Sequence, residues 1–288
     1  MIASVEYYAL DGIDYLETHT ASRLSKPYSV NSESNADQER VRGVKAVMEH
    51  AWNGYEKYAW GADELQPDSK TGKFGVLGGM DGFHGMGASI VDAMSTLHLM
   101  GMQEHFDRAK AWIQENMTFE GKDGRGQEVS FFETTIRLLG GLLSAYDLSG
   151  EALFLDKAAD LGNRLINVFN GPRTGILLND AQLPMTRETF DDSDVLLAEL
   201  GTNLIEFGTL AARTGNETFR LRSEAGLRFL HAKFPDQPLL GTSIRRTTGE
   251  IQDKTKSVGA ATDSYFEYLL KYWIHGKKMV RSHDYKCH

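Results

Sequence analysis

Apolar residues recur along most of this chain with helical spacing, and two kinds of helix alternate. One kind is apolar around nearly its whole circumference. Ala88 to Met100 reads this way, as does Phe132 to Tyr146 with Ile136, Leu138, Leu139, Leu142 and Leu143. A helix without a wet side is packed on every side. The other kind has a single apolar stripe. Phe106, Ala109, Ile113 and Met117 form one among Glu104, Asp107, Arg108 and Lys110, and Leu153, Phe154, Ala158, Leu161, Leu165 and Val168 form the next. Phe219, Ala225, Phe229 and Leu230 make a looser third, with Arg220, Arg222, Glu224 and Arg228 assigned to its outer face. Each change from the first kind to the second falls at a glycine, Gly101, Gly150, Gly215 or Gly276, at intervals of about 50–65 residues.

This alternation predicts an all-α fold in two layers, a helical toroid, although a solenoid of hairpins has the same periodicity. Residues 1–36 are polar and aperiodic and are expected to form a mobile leader before a folded domain spanning 37–288. After Gly276 only Lys277 to His288 remain, too few for another hairpin. The toroid is therefore expected to be incomplete, lacking C-terminal hairpins and leaving an apolar flank uncovered.

Bulk properties narrow the partners. The 288 residues hold 40 acidic and 31 basic side chains, a net charge of −9, with no basic block to neutralise phosphates, so nucleic acid is excluded as an expected partner. No run is long enough to span a bilayer, and the first residues lack the pattern of a secretory signal. The single cysteine, Cys287, cannot form an internal disulfide. Two triplets, Asn116-Met117-Thr118 and Asn216-Glu217-Thr218, are N-glycosylation acceptors should the chain meet the secretory machinery.

Several motifs invite chemistry and fail their context. The Gly-rich stretch Gly72 to Gly87 has no preceding β-run and no closing Gly-Lys-Ser/Thr, so it reads as an inter-helix loop rather than a phosphate loop. His84, His98, His275, His283, His288 and Cys287 offer no second pair to complete a four-ligand metal site. Carboxylates on the apolar helices are the feature that recurs. Glu133 and Arg137 share one helix face, Glu199 and Glu206 share another, and Asp263 opens a segment that repeats the acid at Glu267. Taken alone, Glu133–Arg137 reads first as a structural ion pair, and Asp263 can be read as a helix cap and nothing more. With Phe132, Tyr265, Phe266 and Tyr268 beside them, however, these acids describe a sugar site, since sugars stack on rings and glycosidic cleavage needs an acid and a base.

These residues resemble the class I α-1,2-mannosidases, glycoside hydrolase family 47. The resemblance rests on Ala51-Trp52-Asn53-Gly54-Tyr55-Glu56-Lys57-Tyr58-Ala59-Trp60-Gly61 with Asp63-Glu64-Leu65, on Phe132 to Gly150, on Ala198-Glu199 with Glu206-Phe207, and on Asp263 to Lys271, in that order. It implies an (α/α)7 barrel that removes terminal α-1,2-linked mannose from high-mannose N-glycans with inversion, assisted by calcium, in the endoplasmic reticulum or Golgi lumen. By the same resemblance Glu133 corresponds to the general acid and Asp263 to a second catalytic carboxylate, while Arg137, Glu199, Glu206 and Glu267 are expected to line the glycan pocket. Ser95, Ala62 and Ala261 depart from the family pattern, the last at a position tied to branch choice. The family's third catalytic glutamate and its calcium-binding threonine are expected beyond residue 288, so no metal ligand is assigned in this chain and turnover is expected to be impaired. A non-catalytic glycan-binding or quality-control protein on the same fold is the alternative.

Overall fold

The computed structural model describes residues 35–75, 85–120, 127–169, 174–178, 180–183, 192–237 and 239–275. The expected leader up to residue 34, most of the Gly-rich stretch with His84, and Gly276 with the terminal His283, Cys287 and His288 lie outside the described residues.

Helix α1 (Asn35–Tyr58) begins close to the expected start of the fold and buries Trp52 and Tyr55. Its Glu56 accepts from Arg108 Nη1 at 2.7 Å and lies 3.0 Å from His105 Nδ1, which ties α1 to α3 (Gln103–Asn116). The largely apolar helix α2 (Ala88–Leu99) packs on α3 and on the next inner helix, α4 (residues 131–149). Helix α4 is composite: an opening turn Phe131–Glu133, a π-helical stretch Thr134–Leu139, and α-helix Gly140–Ser149. Next come the amphipathic α5 (Ala152–Leu165), the short α6 (Leu197–Gly201), then α7 (Leu204–Thr214), α8 (Thr218–Lys233) and α9 (Asp263–His275).

The expected two layers are present. Helices α2, α4, α7 and α9 form an inner row, and α3, α5 and α8 lie behind them, each following a turn in which Gly101, Gly150 or Gly215 adopts a left-handed φ of 66°, 73° or 70°. Only glycine enters that region without steric cost, which is why the residue ends α2, α4 and α7. The apolar stripes face inward as read, with Phe106, Ile113, Phe154, Leu161, Phe219 and Leu230 all buried.

Two inner-row contacts fix direction. Gly140 on α4 abuts Glu206 on α7, an added Cβ lying 3.6 Å from Cγ, and two turns further along both helices Asp147 pairs with Arg213 at 2.7 Å. Helices α4 and α7 therefore run parallel. Between α7 and α9, Glu206 meets Tyr268 and Gly208 meets Tyr272, so these two are parallel as well.

The structure departs from the all-helical expectation in its connections. A hairpin of β1 (Glu64–Gln66) and β2 (Thr71–Lys73) precedes α2; β3 (Gln127–Ser130), which leads into α4, pairs antiparallel with β4 (Asp180–Leu183); and β5 (Asp194–Leu196), which leads into α6, forms an antiparallel sheet with β6 (Ser243–Arg245) and β7 (Ile251–Asp253) from between α8 and α9. Runs of three or four residues are too short to leave a period-2 signature. The Gly-rich stretch thus does have a strand before it, yet the helix end a phosphate would need is occupied. The buried Asp63 carboxylate accepts from the backbone N–H groups of Gly75, Met86 and Ala88 at 2.9, 2.8 and 3.1 Å, placing its own negative charge at the start of α2.

A second correction concerns Glu224, assigned above to the outer face of α8. It is fully buried, accepts from Tyr272 Oη at 2.6 Å and Arg228 Nη2 at 2.7 Å, and lies within 3.4 Å of Arg220. Two arginines on its own helix and a tyrosine on α9 neutralise a charge that would otherwise not tolerate the interior. Val41, Val44 and Val47 on α1 and Leu270 and Ile274 on α9 remain exposed. Glu224→Ala leaves two cations and a buried hydroxyl without their acceptor and is expected to cost about 3–5 kcal/mol in urea unfolding, whereas Glu224→Gln, which keeps the Tyr272 hydrogen bond, costs less; equal and small effects would show that the buried charge is not needed.

Candidate active site

Since α4, α7 and α9 are parallel, their N-terminal ends lie at one end of the inner row. Glu133 is the third residue of α4, Glu206 the third of α7, and Asp263 and Glu267 occupy the first two turns of α9. Glu199 sits on α6, which packs against α9 through Gly201 and Tyr265. Helix N-termini favour carboxylates because their free N–H groups carry partial positive charge.

Glu133 has the sequence context of a capping box, Ser130 being three residues earlier. Half of that box forms: Ser130 Oγ accepts from the Glu133 N–H at 3.2 Å. The Glu133 side chain does not reach back to close it. It turns outward, half-exposed, and accepts from Arg137 Nε at 2.7 Å, so the two sequence-predicted residues are joined directly. Arg137 also reaches Asp92 on α2 at 3.5 Å, giving a chain of acid, guanidinium and acid at the mouth of the helices. Asp92 was not picked out by sequence reasoning. Its carboxyl is pushed up by partial burial, with the Arg137 charge opposing and Glu133 reinforcing the shift.

Glu206 has a different environment. It is buried, and Tyr268 Oη donates to its Oε1 at 2.8 Å. Oε2 is buried without a hydrogen bond, as are the hydroxyls of Thr134, Thr135 and Thr202 and Asn203 Oδ1. Burial raises the Glu206 pKa, against the lowering effects of Tyr268 and the more distant Lys271. These polar atoms lie on the π-helical stretch of α4 and on the segment between α6 and α7. A π-turn inserts one extra residue and is a feature frequent at functional sites. Expected among pocket-lining residues, Glu206 is instead enclosed by the helices that flank it, while Tyr268, Thr134, Thr135 and Asn203 went unremarked as polar participants. Consecutive threonines within an apolar helix were the available signal.

The remaining predicted residues occupy the same end. Glu199 is half-buried and accepts from the Leu196 N–H at 3.3 Å. Asp263 is exposed, with Oδ1 accepting from the Ser264 N–H at 2.8 Å, and Glu267 pairs with Lys271 on its own helix. The turn that delivers Asp263 is tightly held. Ala261 has φ 72°, a left-handed value costly for a side chain with Cβ, and its carbonyl accepts from Ala198 N–H at 2.8 Å, tying the start of α9 to α6.

Among the described residues, no three His, Cys, Asp or Glu side chains converge as a cation site. Calcium takes six to eight oxygen ligands. Side-chain donors in that number do not gather among the described residues, and no chemical step is assigned to the ion.

Glycoside hydrolases cleave with paired carboxylates on opposite sides of a sugar, and acids gathered at one end of a two-layered helical array match that class. The chain belongs to glycosyl hydrolase family 47, whose sequence profile it matches over residues 47–286. It is 40% identical over 258 residues to mannosyl-oligosaccharide 1,2-alpha-mannosidase MNS1 of Arabidopsis thaliana, covering 88% of this chain and 44% of the relative. It is 37% identical over 244 residues to the endoplasmic reticulum mannosyl-oligosaccharide 1,2-alpha-mannosidase of Rattus norvegicus, covering 83% of this chain and 35% of that one. The structure superposes on the alpha-1,2-mannosidase from Trichoderma reesei with a TM-score of 0.71 at 26% identity, over 83% of this chain and 54% of the other. The fold is thus that of the (α/α)7 barrel, and the chain spans less than half the length of these curated relatives.

The raised pKa of Glu206 gives a signed prediction. Its folded-state value lies above the ordinary 4.5, so the folded form binds a proton that the unfolded chain releases, and stability falls as pH rises from about 4 through that raised value. Glu206→Gln keeps an acceptor for Tyr268 and removes the titration. Urea midpoints of the two proteins are expected to coincide near pH 4 and to separate in favour of the variant toward neutrality; curves parallel at every pH would mean that Glu206 ionises in the fold without cost.

Proposed function

We propose that this chain supplies the N-terminal share of an α-1,2-mannosidase site acting on N-glycans, with Glu133 as general acid and Asp263 as the second carboxylate. The observation that carries this reading is the Glu133–Arg137–Asp92 chain at the end of the inner row where Asp263 also lies. Arg137 fixes the Glu133 carboxyl in a defined direction beside solvent, and its fork offers donors to sugar hydroxyls. Asp263 opens its helix exposed to solvent, its Oδ1 accepting from the Ser264 N–H, so it is available to orient a water. Inversion requires such a pair about 6.5–9.5 Å apart with the water between them. Glu199 and Glu267 accept from the hydroxyls of a terminal mannose, and Glu206, enclosed behind them, holds α9 against α7 through Tyr268.

The substrate is a high-mannose glycan on a glycoprotein in the secretory lumen, a placement supported by relatives named for the endoplasmic reticulum. No helix among the described residues is long and apolar enough to cross a membrane. A second reading is glycan binding without turnover on the same fold.

The experiment offers the purified chain a terminal α-1,2-linked high-mannose glycan and measures released mannose and bound glycan. Glu133→Gln and Asp263→Asn are each expected to lower turnover by about 10²–10⁴-fold with binding retained. Binding without release in the parent chain supports the second reading; unchanged binding and turnover in both variants removes the sugar site altogether.

A further inference from the structure

We propose that Asn116 is an N-glycosylation site whose first N-acetylglucosamine packs into an aromatic hollow beside it. The triplet Asn116-Met117-Thr118 begins at the last residue of α3. The helix ends at Met117, which is extended, with φ −75° and ψ 106°, and buried to 1% exposure, while Asn116 and Thr118 are exposed. With the methionine anchored inside, the acceptor amide and the threonine hydroxyl lie outside together, the pairing the transfer reaction recognises.

Both ends of the triplet line one hollow of about 370 Å³, walled by Trp60, Phe74 and Trp112, with Glu120 at its edge. Rings and polar groups around one concavity are the chemistry that holds a sugar, which presents C–H faces to rings and hydroxyls to donors and acceptors. The walls are fixed in place. The Trp112 indole lies so close to Gly61 and Gly87 that added Cβ atoms would come within 2.9 and 2.3 Å of it, and Phe74 packs on Gly85 in the same way at 2.7 Å. Arg108 lies over the Trp60 ring at 4.5 Å. The second triplet, Asn216-Glu217-Thr218, differs: all three residues are exposed, and Asn216 Oδ1 accepts from the Thr218 N–H at 3.1 Å.

Asn116 Nδ2 donates to Trp112 O at 3.2 Å through one of its two hydrogens. In the transfer, Nδ2 loses the other hydrogen as a proton to the transferase and bonds to C1 of the reducing-end sugar. The C1–O bond to a lipid diphosphate breaks, and the lipid diphosphate leaves with the electron pair. One N–H remains to keep the Trp112 bond, so the linkage is compatible with the local structure.

The inference rests on the secretory placement in the proposed function, and its test is made independent of that placement by appending a secretion signal to the full chain in eukaryotic cells. Peptide mass spectrometry is expected to find Asn116 glycosylated, with the signal lost in Asn116→Gln and Thr118→Ala and Asn216 serving as internal comparator. After trimming to a single N-acetylglucosamine, the protein is expected to melt about 2–4 °C above Asn116→Gln. Phe74→Ser, an exposed wall residue, is expected to remove that gain without altering occupancy. An unmodified Asn116 overturns the proposal, as does a melting gain that survives Phe74→Ser. Localisation of the natural protein, measured separately, tests the secretory reading on its own.

Discussion

The close, parallel approach of α4, α7 and α9 is the constraint on which the rest of the structure depends. Helices meet this tightly only where a side chain is missing, and glycines supply the gaps. An added Cβ on Gly208 of α7 would come within 3.1 Å of Tyr272 on α9. Once the axes are that close, the Gly140–Glu206 and Asp147–Arg213 contacts leave one register, and it brings the acid-bearing helix ends together. The gathering of Glu133, Glu206 and Asp263 is thus a consequence of packing, since no local rule of sequence relates them.

Burial sorts the acids into two groups. Glu206 and Glu224 lie inside, each accepting from a tyrosine of α9, Tyr268 and Tyr272, at 2.8 and 2.6 Å. These hydrogen bonds pin α9 against α7 and α8, and burial drives both phenols well above their ordinary range. Glu133, Asp92 and Asp263 stand at the rim, half-exposed or exposed to solvent. A rigid polar interior supporting a wet rim is what preorganised chemistry requires, because the reactive groups then keep their geometry without help from the ligand.

Much of the layer arrangement was legible because it follows from periodicity. Stripes such as Phe106–Ala109–Ile113 can be buried on only one side, and Gly101, Gly150 and Gly215 mark turns that need a left-handed residue. The short strands were not legible, since three residues of β6 or β7 carry no pattern. Glu224 was misread because its neighbours Arg220, Arg222 and Arg228 suggest a charged face; its burial depends on Tyr272, which approaches from another helix. The π-turn at Thr134–Leu139 is equally silent, as one inserted residue shifts a helical stripe by less than its own width.

The Glu133–Arg137 pair was legible because both residues sit on a single helix, four positions apart, and local geometry alone made them neighbours. Asp92 joining that pair, Glu206 withdrawing behind it, and Asp63 occupying the start of α2 each involve partners far away in the chain. The sequence by itself determined which helices form and which of their faces are apolar, because those are properties of short windows. Only the tertiary structure decided which carboxylates face solvent and which are enclosed, because that depends on what packs over each of them once the helix axes have met.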